Sequence, residues 1–174
     1  MIPKGSVVMP VYNGDKYLAE AVQSILDQSF ADFELILIND GSTDGSEKII
    51  KSFSDTRIVY IDNGKNLGLA ASFNAGIDAA RGTYIARMDA DDISLPERFA
   101  LQVSYLDRKP HIGIVGSGII IIKEDGRQVA VHKRPRSHKE IKFGSLFSSP
   151  MYHPSVLGRT EIFKSHHYSE TFSN

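Results

Sequence analysis

Phe33 to Asn39 reads FELILIN, a near-continuous apolar run that ends at the turn-forming cluster Asp40-Gly41-Ser42. A strand wetted on one face alternates apolar and polar residues. An unbroken run of this length therefore belongs to a strand covered on both faces, as in a parallel sheet sandwiched between helices. The flanking segments agree. Ser6 to Met9 is a short β-prone run that stops at Pro10, after which Leu18, Ala21, Val22, Ile25 and Leu26 recur at helical spacing. Asp44 with Glu47 has the pattern of a capped helix start, followed by Ile49, Ile50 and Phe53. Ile58 to Ile61 reads as a third strand. Leu69, Phe73, Gly76, Ile77 and Ala80 mark one face of a helix ending near Arg81-Gly82, and Thr83 to Met88 reads as a fourth strand. Strands alternating with helices predict an α/β fold with a mostly parallel, Rossmann-related sheet flanked by helices.

The rhythm changes after Pro96, which suits the first turn of a helix carrying Phe99, Val103 and Leu106. Ile112 to Ile122 reads as one long strand that turns at Glu124-Asp125-Gly126 into Gln128 to His132. Ser137 with Glu140 predicts a second capped helix, with Ile141 and Phe147 apolar. The expectation is a single domain over residues 1–174, with an α/β half over 1–95 and a mixed half over 96–174.

Composition narrows the chemistry. The formal charge is -1, which gives no global attraction to nucleic acid or to an anionic membrane. The absence of cysteine removes disulfides, thiolate metal sites and a cysteine nucleophile together, and it fits a cytoplasmic setting. No apolar run approaches the roughly 20 residues of a membrane helix, so attachment to the cytoplasmic face of a membrane is expected only through sequence outside these residues.

Ligands of open α/β sheets bind beyond the carboxyl ends of the strands. Three polar loops fall there: Pro10-Val11-Tyr12-Asn13-Gly14, Asn39-Asp40-Gly41-Ser42-Thr43-Asp44, and Asp89-Ala90-Asp91-Asp92. In extended backbone Asp89 and Asp91 point the same way, with Asp92 directed elsewhere. Carboxylates this close repel unless a cation compensates them, and hard oxygen ligands suit Mg²⁺ or Mn²⁺ shared with substrate phosphates. A solvated acidic turn before the helix at Pro96 is the competing reading of a D-x-D on its own. Tyr12 is placed to stack on a base, and Asp40 to accept hydrogen bonds from base or ribose; an interfacial tyrosine and an Asx turn are the plainer alternatives. Asn66 to Asn74 lines the same site or simply starts a helix. Neither a G-x-x-x-x-G-K-[ST] nor a G-x-G-x-x-G after the first strand is present. The basic stretch His132-Lys133-Arg134-Pro135-Arg136, with His138 and Lys139, reads as a solvated loop rather than a phosphate or surface contact. His153 reads as a structural histidine rather than a ligand.

The segments Val8 to Asn13, Ile38 to Ser46, Asn66-Leu67-Gly68 through Asn74-Ala75-Gly76, Arg81-Gly82, Met88 to Asp92 with Pro96-Glu97-Arg98, and His153-Pro154-Ser155 resemble, in this order, family 2 glycosyltransferases. The resemblance implies a GT-A fold and a nucleotide-diphosphate-sugar donor, UDP-linked by default. It implies contacts from Pro10, Tyr12, Asn13, Asp40, Asn66, Asp89, Ala90 and Asp91, with Pro10, Tyr12 and Asp40 around the base and ribose. Asp91 would hold the divalent metal, Mn²⁺ or Mg²⁺, with Asp89 as the second candidate. The reaction would invert at the anomeric carbon, attacked by a hydroxyl of a saccharide or lipid-linked saccharide acceptor in bacterial polysaccharide or glycoconjugate synthesis. Residues 1–95 then form the donor half and 96–174 the acceptor side.

Inversion needs a general base near the acceptor hydroxyl. Glu161 and Glu170 are the only late acids, and neither matches the family's acidic segment, so the base is expected beyond Asn174 and the chain is expected to be a truncated portion. A nucleotidyltransferase, or a non-catalytic nucleotide-binding or interaction module of the same fold, are the alternatives.

Overall fold

The computed structural model describes residues 2–135 and 137–169. In chain order the elements are β1 (Gly5–Val11), α1 (Leu18–Leu26), β2 (Phe33–Asn39), α2 (Ser46–Ser52), β3 (Ile58–Asp62), α3 (Leu69–Ala79), β4 (Tyr84–Arg87), α4 (Arg98–Arg108), β5 (Ile114–Val115), β6 (Ile119–Ile122), β7 (Gln128–His132), α5 (His138–Gly144), a 3-10 turn (His153–Ser155), β8 (Leu157–Arg159) and α6 (Thr160–Ser165).

Six strands form one sheet in the order β3-β2-β1-β4-β8-β5. β1 pairs in parallel with β2 and with β4, β2 pairs in parallel with β3, and β8 runs antiparallel to both β4 and β5. Every residue of β2 is buried, as its unbroken apolar run requires. Alternation along the strands sends side chains to two separate cores. Val7, Met9 and Val11 pack with Leu35 and Leu37 against α1 and α4, where Val22, Ile25, Phe99 and Val103 are buried. Val8, Ile36 and Ile38 pack on the other face with Phe73 and Ile77 of α3. Each such side chain contributes about 1.5–3 kcal/mol on leaving water. α3 lies close on β1 because Gly76 has no side chain: a Cβ there would strike Val8 and come within 3.0 Å of Ile38.

The first strand does not stop at Pro10 as its sequence suggests, but runs on to Val11. Proline lacks an N–H, and in a central strand that normally forfeits a ladder bond. Here no bond is lost. Val8 gives its carbonyl to the Met88 N–H of the β4 side, so Pro10, two residues on, faces that same side, past the last β1–β4 pair at Val8 and Arg87. The proline thus lies where the β1 and β4 directions part, at the crevice of the sheet.

The predicted strand from Ile112 to Ile122 is two strands. β5 joins the edge of the main sheet, and β6 forms a separate hairpin with β7 around the Glu124-Asp125-Gly126 turn. The break falls at Gly116-Ser117-Gly118. A Cβ on Gly116 would meet Met151 at 3.0 Å, one on Gly118 would meet the His132 carbonyl at 2.7 Å, and the Ser117 N–H donates to Ser155 Oγ at 3.1 Å. An apolar run shows no periodicity that would betray such a change of partner. The hairpin tip is held to the turn before the first helix, where Lys16 Nζ and the Tyr17 hydroxyl reach Glu124 Oε1 at 2.6 and 3.2 Å. The capping box on α5 forms as expected: Ser137 Oγ accepts from Glu140 N–H at 3.3 Å and Glu140 Oε2 from Ser137 N–H at 3.0 Å. No helix among the described residues is long and apolar enough to cross a membrane.

Candidate functional site

The three polar loops meet at the carboxyl edge of the sheet, on either side of the β1–β4 switch in strand order. Asn13 joins the first to the second: its Oδ1 accepts from Thr43 N–H at 2.8 Å while its own N–H donates to Ser42 Oγ at 3.1 Å. Its φ of 50° is left-handed, a conformation asparagine tolerates. Ser46 Oγ and Asp44 Oδ2 accept from the N–H groups of Gly14 and Asp15 at 2.9 and 3.0 Å, and Asp44 Oδ1 also takes the Ser46 N–H at 2.9 Å. Asp44 is thus the acceptor for the first turn of α2. A Cβ on Gly14 would touch that of Ala90 at 3.7 Å, which sets the first loop against the acidic one. Tyr12, the residue after β1, is 51% exposed.

Asp40 is buried and largely committed. Its Oδ1 accepts from Asn63 Nδ2 at 2.8 Å and Leu67 N–H at 2.9 Å, and its Oδ2 from Gly68 N–H at 3.0 Å. A carboxylate has about four acceptor sites, so these bonds fill about three of them. Gly41, at φ 68°, allows this folding over: a Cβ there would collide with the Lys65 backbone and lie 2.6 Å from the Asn66 nitrogen. Asn66 is exposed and makes an Asx turn, its Oδ1 accepting from Gly68 N–H at 2.9 Å. Asn74 lies on α3 and exchanges two 2.9 Å bonds with the Tyr168 backbone.

In the acidic loop the three aspartates have different surroundings. Asp89 Oδ1 is 3.2 Å from Arg87 Nη2, a guanidinium whose side chain is 5% exposed. Asp91 is exposed and has no hydrogen bond or ion pair with any described residue. Asp92 is part-buried, and burial, followed by the charges of Asp89 and Asp91, pushes its carboxyl up to about 6 against the pull of Arg98 and Arg87. Arg98 is packed behind the loop, donating to the Arg87 carbonyl at 2.9 Å and the Val156 carbonyl at 3.4 Å. Among the described residues no three histidine or acidic side chains converge into a closed metal cage. Crowded, mutually repelling carboxylates with one open member fit a hard cation that completes its shell with substrate oxygens, and Asp91 with the second oxygen of Asp89 would hold it.

Arg87 was not singled out by the sequence reading. Its signal is an arginine in a four-residue strand otherwise made of Tyr84, Ile85 and Ala86, all buried, and an interior arginine is rare unless paired. Besides Asp89, its Nη1 contacts His153 Nδ1. Burial and the Arg87 charge hold the His153 imidazole below its ordinary pKa, with Asp89 opposing. The described residues of the basic stretch are exposed apart from the part-buried Arg134, as expected of a solvated loop. The 3-10 turn carries His153 to the foot of the acidic loop, and the basic stretch packs on its neighbour: Arg134 lies 3.9 Å over the Tyr152 ring and His132 Nδ1 is 3.1 Å from the Tyr152 hydroxyl. Arg136 lies outside the described residues. Glu161, in the first turn of α6, belongs to the opposite edge, since Thr160 beside it bonds the carbonyls of Gly82 and Thr83 at the start of β4. Glu170 lies outside the described residues.

A mostly parallel sheet with stitched polar loops and an acidic turn at its switch point defines a nucleotide-handling α/β domain. Residues 6–166 match the model of glycosyl transferase family 2, and the chain belongs to that family. It is 31% identical over 160 residues to the amylovoran biosynthesis glycosyltransferase AmsE of Erwinia amylovora, covering 90% of this chain and 60% of that one. S. aureus TarS, residues 1–349, superposes with a TM-score of 0.75 at 23% identity over 98% of this chain and 52% of that one. Its complex with UDP-GlcNAc gives 0.69 at 25% over 93% and 47%. The mannosyltransferase PcManGT of Pyrobaculum calidifontis, solved with GDP-Man and Mn²⁺, gives 0.72 at 16% over 98% and 48%. The solved structures share the GT-A fold with this chain. The chain spans about half the length of the curated relatives it matches, from 46% to 60% of the first three.

Proposed function

We propose that this domain binds a nucleotide-diphosphate-sugar, UDP-linked, at the crevice between β1 and β4, and that the sugar passes with inversion to a hydroxyl of a saccharide or lipid-linked saccharide acceptor. The observation that carries the reading is the difference between two aspartates two residues apart: Asp89 is tied to a buried arginine, and Asp91 is exposed and unpaired. An unpaired carboxylate beside two others has the most to gain from a divalent cation, so Asp91 is assigned to the metal. One oxygen of Asp89 is left to the sugar-nucleotide or to the same ion. When bound, such a cation would neutralise charge on the departing diphosphate.

The chain's own residues do the rest. Tyr12 offers an aromatic face to the base, Asp40 keeps about one acceptor site for base or ribose, and Pro10, Asn13, Asn66 and Ala90 shape the wall between them. Residues 1–95 form the donor side and 96–174 the acceptor side. The UDP-GlcNAc complex of TarS and the Mn²⁺ of PcManGT support the donor and metal assignments, and AmsE supports an acceptor in bacterial polysaccharide synthesis. The family match stands against the nucleotidyltransferase alternative. Glu161, on the far edge, is not the base.

Thermal stabilisation by UDP, GDP and UTP, each with and without Mn²⁺, tests the assignment. Wild type should be stabilised most by UDP with Mn²⁺. Asp91→Ala should abolish the metal-dependent part, while Asp89→Ala should weaken nucleotide binding and keep some response to metal. A protein that none of these ligands stabilises would exclude donor binding.

A further inference from the structure

We propose that Arg87 is a positioning residue that ties Asp89 to His153 and holds His153 with its proton on Nε2, as a hydrogen-bond donor for a phosphate or sugar oxygen of the bound donor. The proposal rests on the donor-binding reading above for its ligand, though not for its geometry. A guanidinium has only donors, so the ring nitrogen it faces must accept. His153 Nδ1 faces Arg87 Nη1, and the single remaining imidazole proton is therefore on Nε2. That nitrogen is then a donor and has no lone pair for a metal. His153 is exposed while the guanidinium beneath it is buried, so the ring's other edge is the one open to a ligand.

The guanidinium is itself fixed. It stacks 4.9 Å from the centroid of Phe73 and 5.9 Å from that of Tyr168, and the His153 ring meets Tyr168 edge-on at 5.9 Å. Tyr168 is in turn held by Asn74. Arg87 thereby links the acidic loop after β4 to a turn 66 residues later, and only a planar fork can hold both partners at once. A lysine ammonium on the same stem could reach one of them. Arg87 Nε is buried without a partner among the described residues, so the residue is not explained as a satisfied core cation.

Long-range ¹H–¹⁵N correlation of the imidazoles, with His153 assigned by its loss in His153→Ala, reads the tautomer directly. Wild type should show protonated Nε2 and a lone-pair Nδ1. Arg87→Met, which leaves no donor at Nδ1, should show mixed tautomers. A wild-type His153 protonated on Nδ1, or averaged between tautomers, overturns the proposal without any variant, so loss of folding in Arg87→Met cannot shelter it.

UDP titration in Mn²⁺ supplies the second readout. Arg87→Lys and His153→Ala should each weaken binding about tenfold, and the double variant no more than the weaker single, because one acts through the other. Multiplying losses would also overturn the proposal. If wild type binds no nucleoside diphosphate, the donor reading fails while the tautomer still decides the role of Arg87.

Discussion

Asp40 accepts the backbone N–H of Gly68 at 3.0 Å across 28 residues of chain, and this bond holds the loop after β3 against the loop after β2. Asn63 and Leu67 supply its other two bonds. Asp40→Ala removes all three and should destabilise the domain by about 1–3 kcal/mol, moderated because part of that loop is wet. Asp40→Asn should be little better, since its amide would set a donor against the N–H groups. Urea denaturation measures the cost. A loss under about 0.5 kcal/mol would mean that water replaces these bonds at no penalty.

Asp92 gives a pH signature. Its folded pKa of about 6 lies above the ordinary 3.8, so the ionised form is penalised by folding. The stability it withholds is absent below the ordinary value, grows as pH rises, and is complete above about 6. Asp92→Asn should therefore stabilise the metal-free protein by about 1 kcal/mol near pH 8, after allowance for partial exposure, and by almost nothing near pH 4. Melting temperatures at the two pH values would show it. An equal effect at both would remove charge repulsion as the cause.

Glu34 behaves in the opposite sense. Burial raises its pKa, but bonds from Ser6 Oγ at 2.7 Å and from the Arg81 N–H and guanidinium at 2.6–2.8 Å outweigh this and bring it below the ordinary 4.5. Its contribution is present above pH 4.5 and disappears as pH falls through the depressed value. Glu34→Gln should cost about 2 kcal/mol at neutral pH, with the exposed Arg81 side chain limiting the loss, and should flatten the acid side of the stability profile. Denaturant midpoints near pH 7 and near pH 3 compare the two slopes. A variant that loses stability in acid as steeply as wild type would exclude Glu34 as the titrating group.

Patterns that depend on near neighbours in the chain were legible. The burial of β2, the faces of α1 and α4, and the capping box at Ser137 follow from periodicity and local hydrogen-bonding rules, and they place Asp40 and Asp89 on one sheet edge. Ile112 to Ile122 was misread because isoleucine runs suit either of two sheets, and the choice was made by Met151, Ser155 and His132, distant residues that crowd the glycines between. The same limit applied to His153, whose nearest chemistry belongs to Arg87, 66 residues away.

The acidic turn is where the two sources of information divide. Four residues, Asp89 to Asp92, determine by themselves that charge is concentrated after a buried strand, because Coulomb repulsion depends only on their spacing. Which carboxylate is paired and which is left open depends on Arg87 arriving beneath them from β4, and Asp92 is raised by its burial and by Asp89 and Asp91 against the pull of Arg98 and Arg87. Only the folded chain sets those distances, and burial, which strengthens each interaction by excluding water, exists only once the layers have closed.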